Sequence, residues 1–162
     1  MRYSYSGKTL GCELTESEQL WLRNEQPQLF YLHKERKAYG FFSFKSVYNE
    51  CQITDRYEIA IDFARLEYYR LPIVYEVGNK IAKVAKIHNK PLIDLHQYND
   101  RHLCLIRPDV FYGIFSQRQF DIQDFCILIN SFLYWQSYFD IYNQEPWPGE
   151  EHGYDWLKLY IN

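Results

Sequence analysis

The sequence predicts an α+β domain in which an antiparallel meander lies between helices, and three observations carry that expectation. A helix start signal stands near the N-terminus, several strand patterns then follow one another without a helical crossover, and a long helical periodicity returns after residue 120. Parallel neighbours need a crossover of roughly a dozen residues or more, so strands in direct succession pair antiparallel.

The start signal is Thr15-Glu-Ser-Glu18, a capping box in which Thr15 and Glu18 satisfy each other's free backbone donors ahead of Leu20, Trp21 and Leu22. A helix is expected from about Glu16 to Gln26, ending at Pro27, whose ring removes a donor and clashes one turn back. Lys37 to Tyr48 is rich in aromatic and β-branched residues and reads as a strand. Tyr57 to Phe63 alternates, with Tyr57, Ile59, Ile61 and Phe63 on one face and Glu58, Ala60 and Asp62 on the other, and reads as its partner. The polar stretch Asn49 to Arg56, with Thr54-Asp55, is expected to be the hairpin connection between them. After Leu71-Pro72, Ile73 to Val77 forms a third strand, stopped by Gly78-Asn79. Lys80 to Asp100 mixes a helical turn or short strand around Ile81 to Ile87 with polar loop. The second long helix runs from about Ile122 to Tyr142, capped by Asp121, with Ile122, Phe125, Cys126, Ile129, Phe132 and Leu133 at helical spacing. Trp156 to Ile161 reads as a short closing helix or turn.

One domain, residues 1–162, suits this length, which buries a sizeable core without disulfides. The 16 Tyr and 11 Phe make that core, and part of the surface, aromatic. A net charge of -3 with no basic block beyond Lys34 to Lys37 argues against nucleic acid as a partner. No apolar run approaches the roughly 18 residues of a membrane span, and the N-terminal stretch has no signal core, so a cytoplasmic protein is expected. Cys12, Cys51, Cys104 and Cys126 are widely spaced, which signals neither a disulfide framework nor a zinc knuckle. Cys126 falls on the apolar face of the second helix and should be inert core, whereas Cys12 and Cys51 lie in polar segments expected to be exposed.

Cys104 sits in His102-Leu-Cys-Leu-Ile106. A cysteine between two leucines is commonly a small buried hydrophobe, so the motif alone decides nothing. What distinguishes Cys104 is the order of parts around it: helix, meander, a proline-marked turn, a polar segment with His96, the cysteine, and a long helix. Extended backbone at His102-Leu-Cys104 would place the imidazole and the thiol on one face, while Arg101 and Arg107 flank the thiol with positive charge. The competing reading makes His102 a solvated loop residue and His96 a structural or turn histidine. Asp94 and Asp100 stand where they can orient an incoming amine, although such aspartates commonly form turns. A zinc site from His96, His102, Cys104 and His152 lacks closely spaced ligand pairs and is not expected.

The run from Tyr57-Glu-Ile-Ala-Ile-Asp-Phe63, through Tyr69-Arg-Leu-Pro72 and Ile73-Val-Tyr-Glu-Val77, to His96 and Leu103-Cys-Leu105 resembles the ubiquitin-conjugating enzymes. The resemblance implies the UBC-like fold: an N-terminal helix, a four-strand antiparallel meander, a long loop leading to the active cysteine, and C-terminal helices. It also implies that Cys104 forms the thioester, with His96, Asn99 and His102 as candidate supporting residues. The family's His-Pro-Asn triplet is replaced here, since Gln97 and Tyr98 follow His96, and Asn99 and His102 are the nearest polar candidates. The loop before the cysteine is shorter and the tail Glu145-Pro-Trp-Pro-Gly-Glu-Glu-His-Gly153 departs from the eukaryotic pattern; this divergence, with the Tyr-rich pattern and size, is similar to that of bacterial relatives in CBASS-type antiphage operons. That likeness implies a protein partner whose C-terminus is carried, either a CD-NTase or a ubiquitin-like protein, together with an activating enzyme. No metal or cofactor is implied. The rival expectation is a catalytically inactive UBC-like interaction module in which Cys104 is merely packed and the tail's Trp147 lies against the preceding helix.

Overall fold

The protein, seen in a computed structural model that describes residues 12–66, 71–106 and 119–147, is α+β. In chain order the described elements are α1 (Glu16–Glu25), β1 (Leu29–Leu32), β2 (Lys37–Tyr48), β3 (Cys51–Leu66), β4 (Pro72–Glu76), α2 (Lys80–Ile87), a 3-10 turn (Leu92–Leu95) and α3 (Ile122–Tyr142). The strands form one antiparallel sheet in the order β1-β2-β3-β4. No helix among the described residues is long and apolar enough to cross a membrane. The expected closing element at Trp156 to Ile161 and the tail beyond Trp147 lie outside the described residues.

The capping box forms as read: Thr15 Oγ1 accepts from the Glu18 amide at 3.3 Å, and the Thr15 amide donates to Glu18 Oε1 at 3.1 Å. The helix stops at Glu25, and Gln26 becomes its C-cap. The Gln26 side chain accepts from the Ser43 amide and donates to the Ser43 carbonyl, both at 2.9 Å. Since β1 pairs with β2 only over Lys37 to Gly40, this amide closes backbone groups that would otherwise form an open strand edge.

β1 is the strand that the residue pattern did not single out; it is four residues long, with Leu29 as its fully buried member. Its approach to β2 depends on Gly40, whose φ of 134° few side chains tolerate and whose added Cβ would collide with the Gln28 carbonyl. Gly40→Ala is expected to destabilise the protein by about 2–3 kcal/mol, seen as a lowered urea midpoint, because strained backbone and a backbone clash act together.

The β2–β3 connection differs from expectation. Only Asn49 and Glu50 form the turn, both with positive φ (47° and 64°), and Tyr48 pairs directly with Cys51. A two-residue turn of this handedness matches strand twist, so pairing continues through Gln52, Ile53, Thr54, Asp55 and Arg56. Gln52, Thr54 and Arg56 are exposed, Ile53 is buried, and Asp55 occupies an inward position where the pattern calls for an apolar residue.

The expected alternation holds farther along β3, where Tyr57, Ile59, Ile61 and Phe63 are all buried. Asp62 is also buried and bonds the Ala64 amide at 3.0 Å, where the β3–β4 register shifts. α3 spans the predicted residues, and Asp121 caps it by accepting from the Gln123 and Asp124 amides at 2.7 and 3.1 Å. This helix is buried almost all round, with Ser131, Tyr134, Trp135, Gln136 and Ser137 inside as well as the apolar stripe. Trp147 packs back on it as expected, its ring stacked on Tyr134 at 5.8 Å and its carbonyl accepting from Trp135 Nε1 at 3.2 Å.

Of the two forms open to Ile81 to Ile87, the structure takes the helix, α2, and its start is unusual. Asn79 precedes it in the left-handed region and makes no side-chain cap. Glu76, fully buried at the end of β4, supplies the acceptors instead: the Lys80 amide donates to Oε1 at 3.0 Å and the Ile81 amide to Oε2 at 3.4 Å. Burial pushes the Glu76 carboxyl above the ordinary carboxylate value, and these amides only partly offset it.

Candidate functional site

Cys104 stands where a small hairpin returns to the sheet. Gln97 and Leu103 pair across it, the Tyr98 amide donates to the His102 carbonyl at 3.0 Å, and the Arg101 amide donates to the Tyr98 carbonyl at 2.8 Å. Asn99 and Asp100 occupy the turn, followed by Arg101 at φ 74°, the arrangement of a three-residue hairpin loop with a left-handed third residue. The returning strand docks on β4: Tyr75 pairs with His102, the Leu103 amide donates to the Val74 carbonyl at 2.8 Å, and the Glu76 amide donates to the Arg101 carbonyl at 3.2 Å. The hairpin thus extends the meander past its fourth strand.

His96 sets the near end of this hairpin. It leaves the 3-10 turn with φ 61°, is buried, and meets the Trp135 ring edge-on at 5.1 Å. Its carbonyl accepts the Cys104 amide at 2.9 Å, and the preceding Leu95 carbonyl accepts Gln136 Nε2 at 2.7 Å. His96 therefore acts on the candidate nucleophile through the backbone, with its imidazole turned toward the core.

Along the returning strand burial alternates. Leu103 and Leu105 are fully buried, whereas His102 and Cys104 are half-buried. That period of two puts the imidazole and the thiol on the same face, as the sequence suggests. Of the four free cysteines, Cys104 and Cys51 keep partial exposure. The Cys51 thiol donates to the Tyr142 hydroxyl at 3.6 Å. Cys126 is buried as expected, and burial pushes its thiol up to about 12. Cys12 corrects the sequence reading: it is fully buried, because its own backbone is drawn against the end of β3, its amide donating to the Phe63 carbonyl at 2.7 Å.

His102 is not a solvated loop residue. Its Nδ1 lies 2.6 Å from Asp100 Oδ1, which also accepts the His102 amide at 3.1 Å. Tyr98 stacks on the imidazole at 4.1 Å with an interplanar angle of 20°, and Tyr75 meets it edge-on at 6.4 Å. Desolvation pulls the Asp100 carboxyl upward, but the His102 amide and imidazole outweigh it and hold the group below its ordinary value. Asn99 is exposed at the hairpin tip, on the far side of the turn from Cys104 in the chain. Asp94 lies apart from the hairpin, in a groove of about 740 Å³ lined by His88, Lys90, Asp94, His96, Trp135 and Glu145 among others.

The sequence reading missed the orienting partners Tyr98 and Tyr75, while the structural or turn role open to His96 takes the form of a carbonyl that holds the Cys104 amide. The Asp100-x-His102 spacing was visible, but its meaning depends on the turn that folds Asp100 back onto His102. Among the described residues no cluster of three or more His, Cys, Asp or Glu side chains forms a metal centre; His152 of the drawn zinc set lies outside them. No protein-family model, curated protein or solved structure matches the chain, so its functional reading stands on the thiol and the hairpin that presents it.

Proposed function

We propose that this chain is a ubiquitin-conjugating-like transferase of the cytoplasm: Cys104 takes up a protein C-terminus as a thioester and passes it to an amine. The observation that carries the reading is the placement of Cys104. It is a half-buried thiol, held by its amide to the His96 carbonyl, at the end of a hairpin docked on the last strand of a four-strand meander. A thioester carrier needs a partly accessible sulfur on a fixed backbone. The order α1, four-strand meander, α2, His-bearing turn, cysteine and α3 supports the UBC-like fold, and the divergent, Tyr-rich sequence and its size favour the CBASS-type branch with a CD-NTase C-terminus as the cargo.

The second reading, an inactive interaction module of the same fold, draws on the outer face of the sheet. There Phe30 and Tyr39 are cross-strand partners, 65% and 41% exposed, in a row that continues through Ala60 to Tyr75. The two readings part at the thiol. In protein expressed with its native gene neighbours, a non-reducing gel with mass spectrometry should show a thiol-sensitive adduct on wild type. The adduct should become thiol-resistant in Cys104→Ser and disappear in Cys104→Ala. Absence of any adduct, with Cys104 resistant to alkylation in the folded protein, leaves the interaction module.

A further inference from the structure

We propose that His102, oriented by Asp100, is the general base that takes the proton from the amine attacking the Cys104 thioester. The proposal rests on Cys104 being a thioester carrier and adds the group that makes an alkyl amine a competent acceptor. A lysine amine has a pKa of about 10.4, so near neutrality its attack must be coupled to proton removal.

The geometry supplies the parts in order. Asp100 Oδ1, 2.6 Å from Nδ1, makes that nitrogen the donor in the neutral ring and Nε2 the acceptor. The Tyr98 stack and the Tyr75 edge fix the plane of the ring, so Nε2 has a defined direction. His102 and Cys104, two apart along extended backbone, lie on one face about 7 Å apart along the chain, a separation on the scale of the acyl carbon and attacking nitrogen that the transfer would place between them. Among the described residues, Asp100 and Tyr98 of its own hairpin and Tyr75 of β4 face the imidazole, and Arg101 adjoins it in the chain.

In the transfer, the amine lone pair forms a C–N bond to the thioester carbonyl carbon. The proton shed by that nitrogen moves to Nε2 of His102. The C–S bond then breaks, and its electron pair returns to Cys104 as thiolate; the imidazolium gives its proton to solvent or to that thiolate. His102 is thus a catalytic residue, and Asp100 is a positioning residue that keeps Nε2 in the accepting tautomer.

The test loads the whole protein at Cys104 with a peptide ending in glycine, supplied as its mercaptoethanesulfonate thioester, and follows single-turnover discharge to free lysine between about pH 6 and about pH 9. Wild type should show a rate that rises with pH through one inflection. His102→Gln should slow discharge by about 100-fold and lose the inflection, with little change in the apparent KM for lysine. Added imidazole should restore part of the rate in His102→Ala, and Asp100→Asn should fall between wild type and His102→Gln. Long-range nitrogen NMR of the uncharged protein should show the proton on Nδ1 in wild type and a mixture of tautomers in Asp100→Asn.

Normal loading with a His102→Gln discharge rate within about threefold of wild type overturns the general base and leaves the carrier intact. Persistence of the pH inflection in His102→Gln, or failure of imidazole to rescue His102→Ala, overturns it equally. A wild-type Cys104 that takes up no peptide at all overturns the carrier reading, and this proposal falls with it.

Discussion

Trp135→Ala is expected to cost about 3–5 kcal/mol of stability, the range for deleting a fully buried large aromatic side chain. Trp135 joins three parts of the molecule. Its ring stacks on Phe139 at 5.5 Å, its Nε1 donates to the Trp147 carbonyl, and its face receives the edge contact from His96. The His96 carbonyl in turn holds the Cys104 amide, so the loss should reach the site as faster exchange of that amide proton. Urea unfolding followed by far-ultraviolet dichroism gives the stability change, and Trp135→Phe, which keeps ring packing but loses the donor, should cost less than half as much. A change below about 1.5 kcal/mol for the alanine variant would mean that the surrounding rings close over the gap and that Trp135 is not what ties the turn to the helix.

Local chemistry made much of the fold legible. The Thr15–Glu18 box marks α1, the β-branched and aromatic run gives β2 end to end, and Asp121 with the stripe after it gives α3. Each signal is complete within a few residues, so it is readable in a one-dimensional string. The misreadings occur where the deciding partner belongs to another element. β3 starts six residues before the expected Tyr57 because Asp55, inward-facing, is satisfied by Lys80 and Ser137. α2 has no local cap because Glu76 reaches back from the strand. β1 is short and relies on Gly40 for its pairing.

The candidate site divides in the same way. The position of Cys104, after a meander and before a long helix, follows from element order, which sequence conveys well. How the thiol is held does not: it depends on the left-handed turn at His96, the bulged loop at Arg101 and the docking of the returning strand on β4. His96 illustrates the limit. Its residue type draws attention to the side chain, and what only the fold adds is its carbonyl, which holds the Cys104 amide while the ring lies against Trp135.

Asp55→Ala is the other large loss expected, at about 2–3 kcal/mol. The Asp55 carboxylate bonds Lys80 Nζ at 2.5 and 2.6 Å and Ser137 Oγ at 2.6 Å, and behind Ser137 the buried Tyr57 hydroxyl lies at 2.9 Å. Removing it strands a lysine ammonium over the Tyr57 ring and breaks a chain that joins β3, α2 and α3. The value is set below the 3–5 kcal/mol of a fully buried pair because the Asp55 and Lys80 side chains keep 25% and 33% exposure. Replacing both, as Asp55→Ala with Lys80→Met, should recover about 1 kcal/mol relative to the sum of the single changes. The acid limb of the stability curve provides a separate test. Desolvation raises the Asp55 carboxyl, but the bonds from Lys80, Ser137 and the Arg56 amide outweigh it, so its folded pKa lies below the ordinary 3.8. Its stabilisation is therefore complete above that value and is lost as pH falls through the lower folded one, where Asp55→Asn should flatten the curve. Glu76 acts with the opposite sign. Its carboxyl is raised above the ordinary 4.5, so ionisation costs stability as pH climbs from there through the folded value, and Glu76→Gln should remove that decline. An acid limb unchanged in Asp55→Asn would show that Lys80 and Ser137 do not favour the ionised carboxylate, and the network would then have to be credited to packing alone.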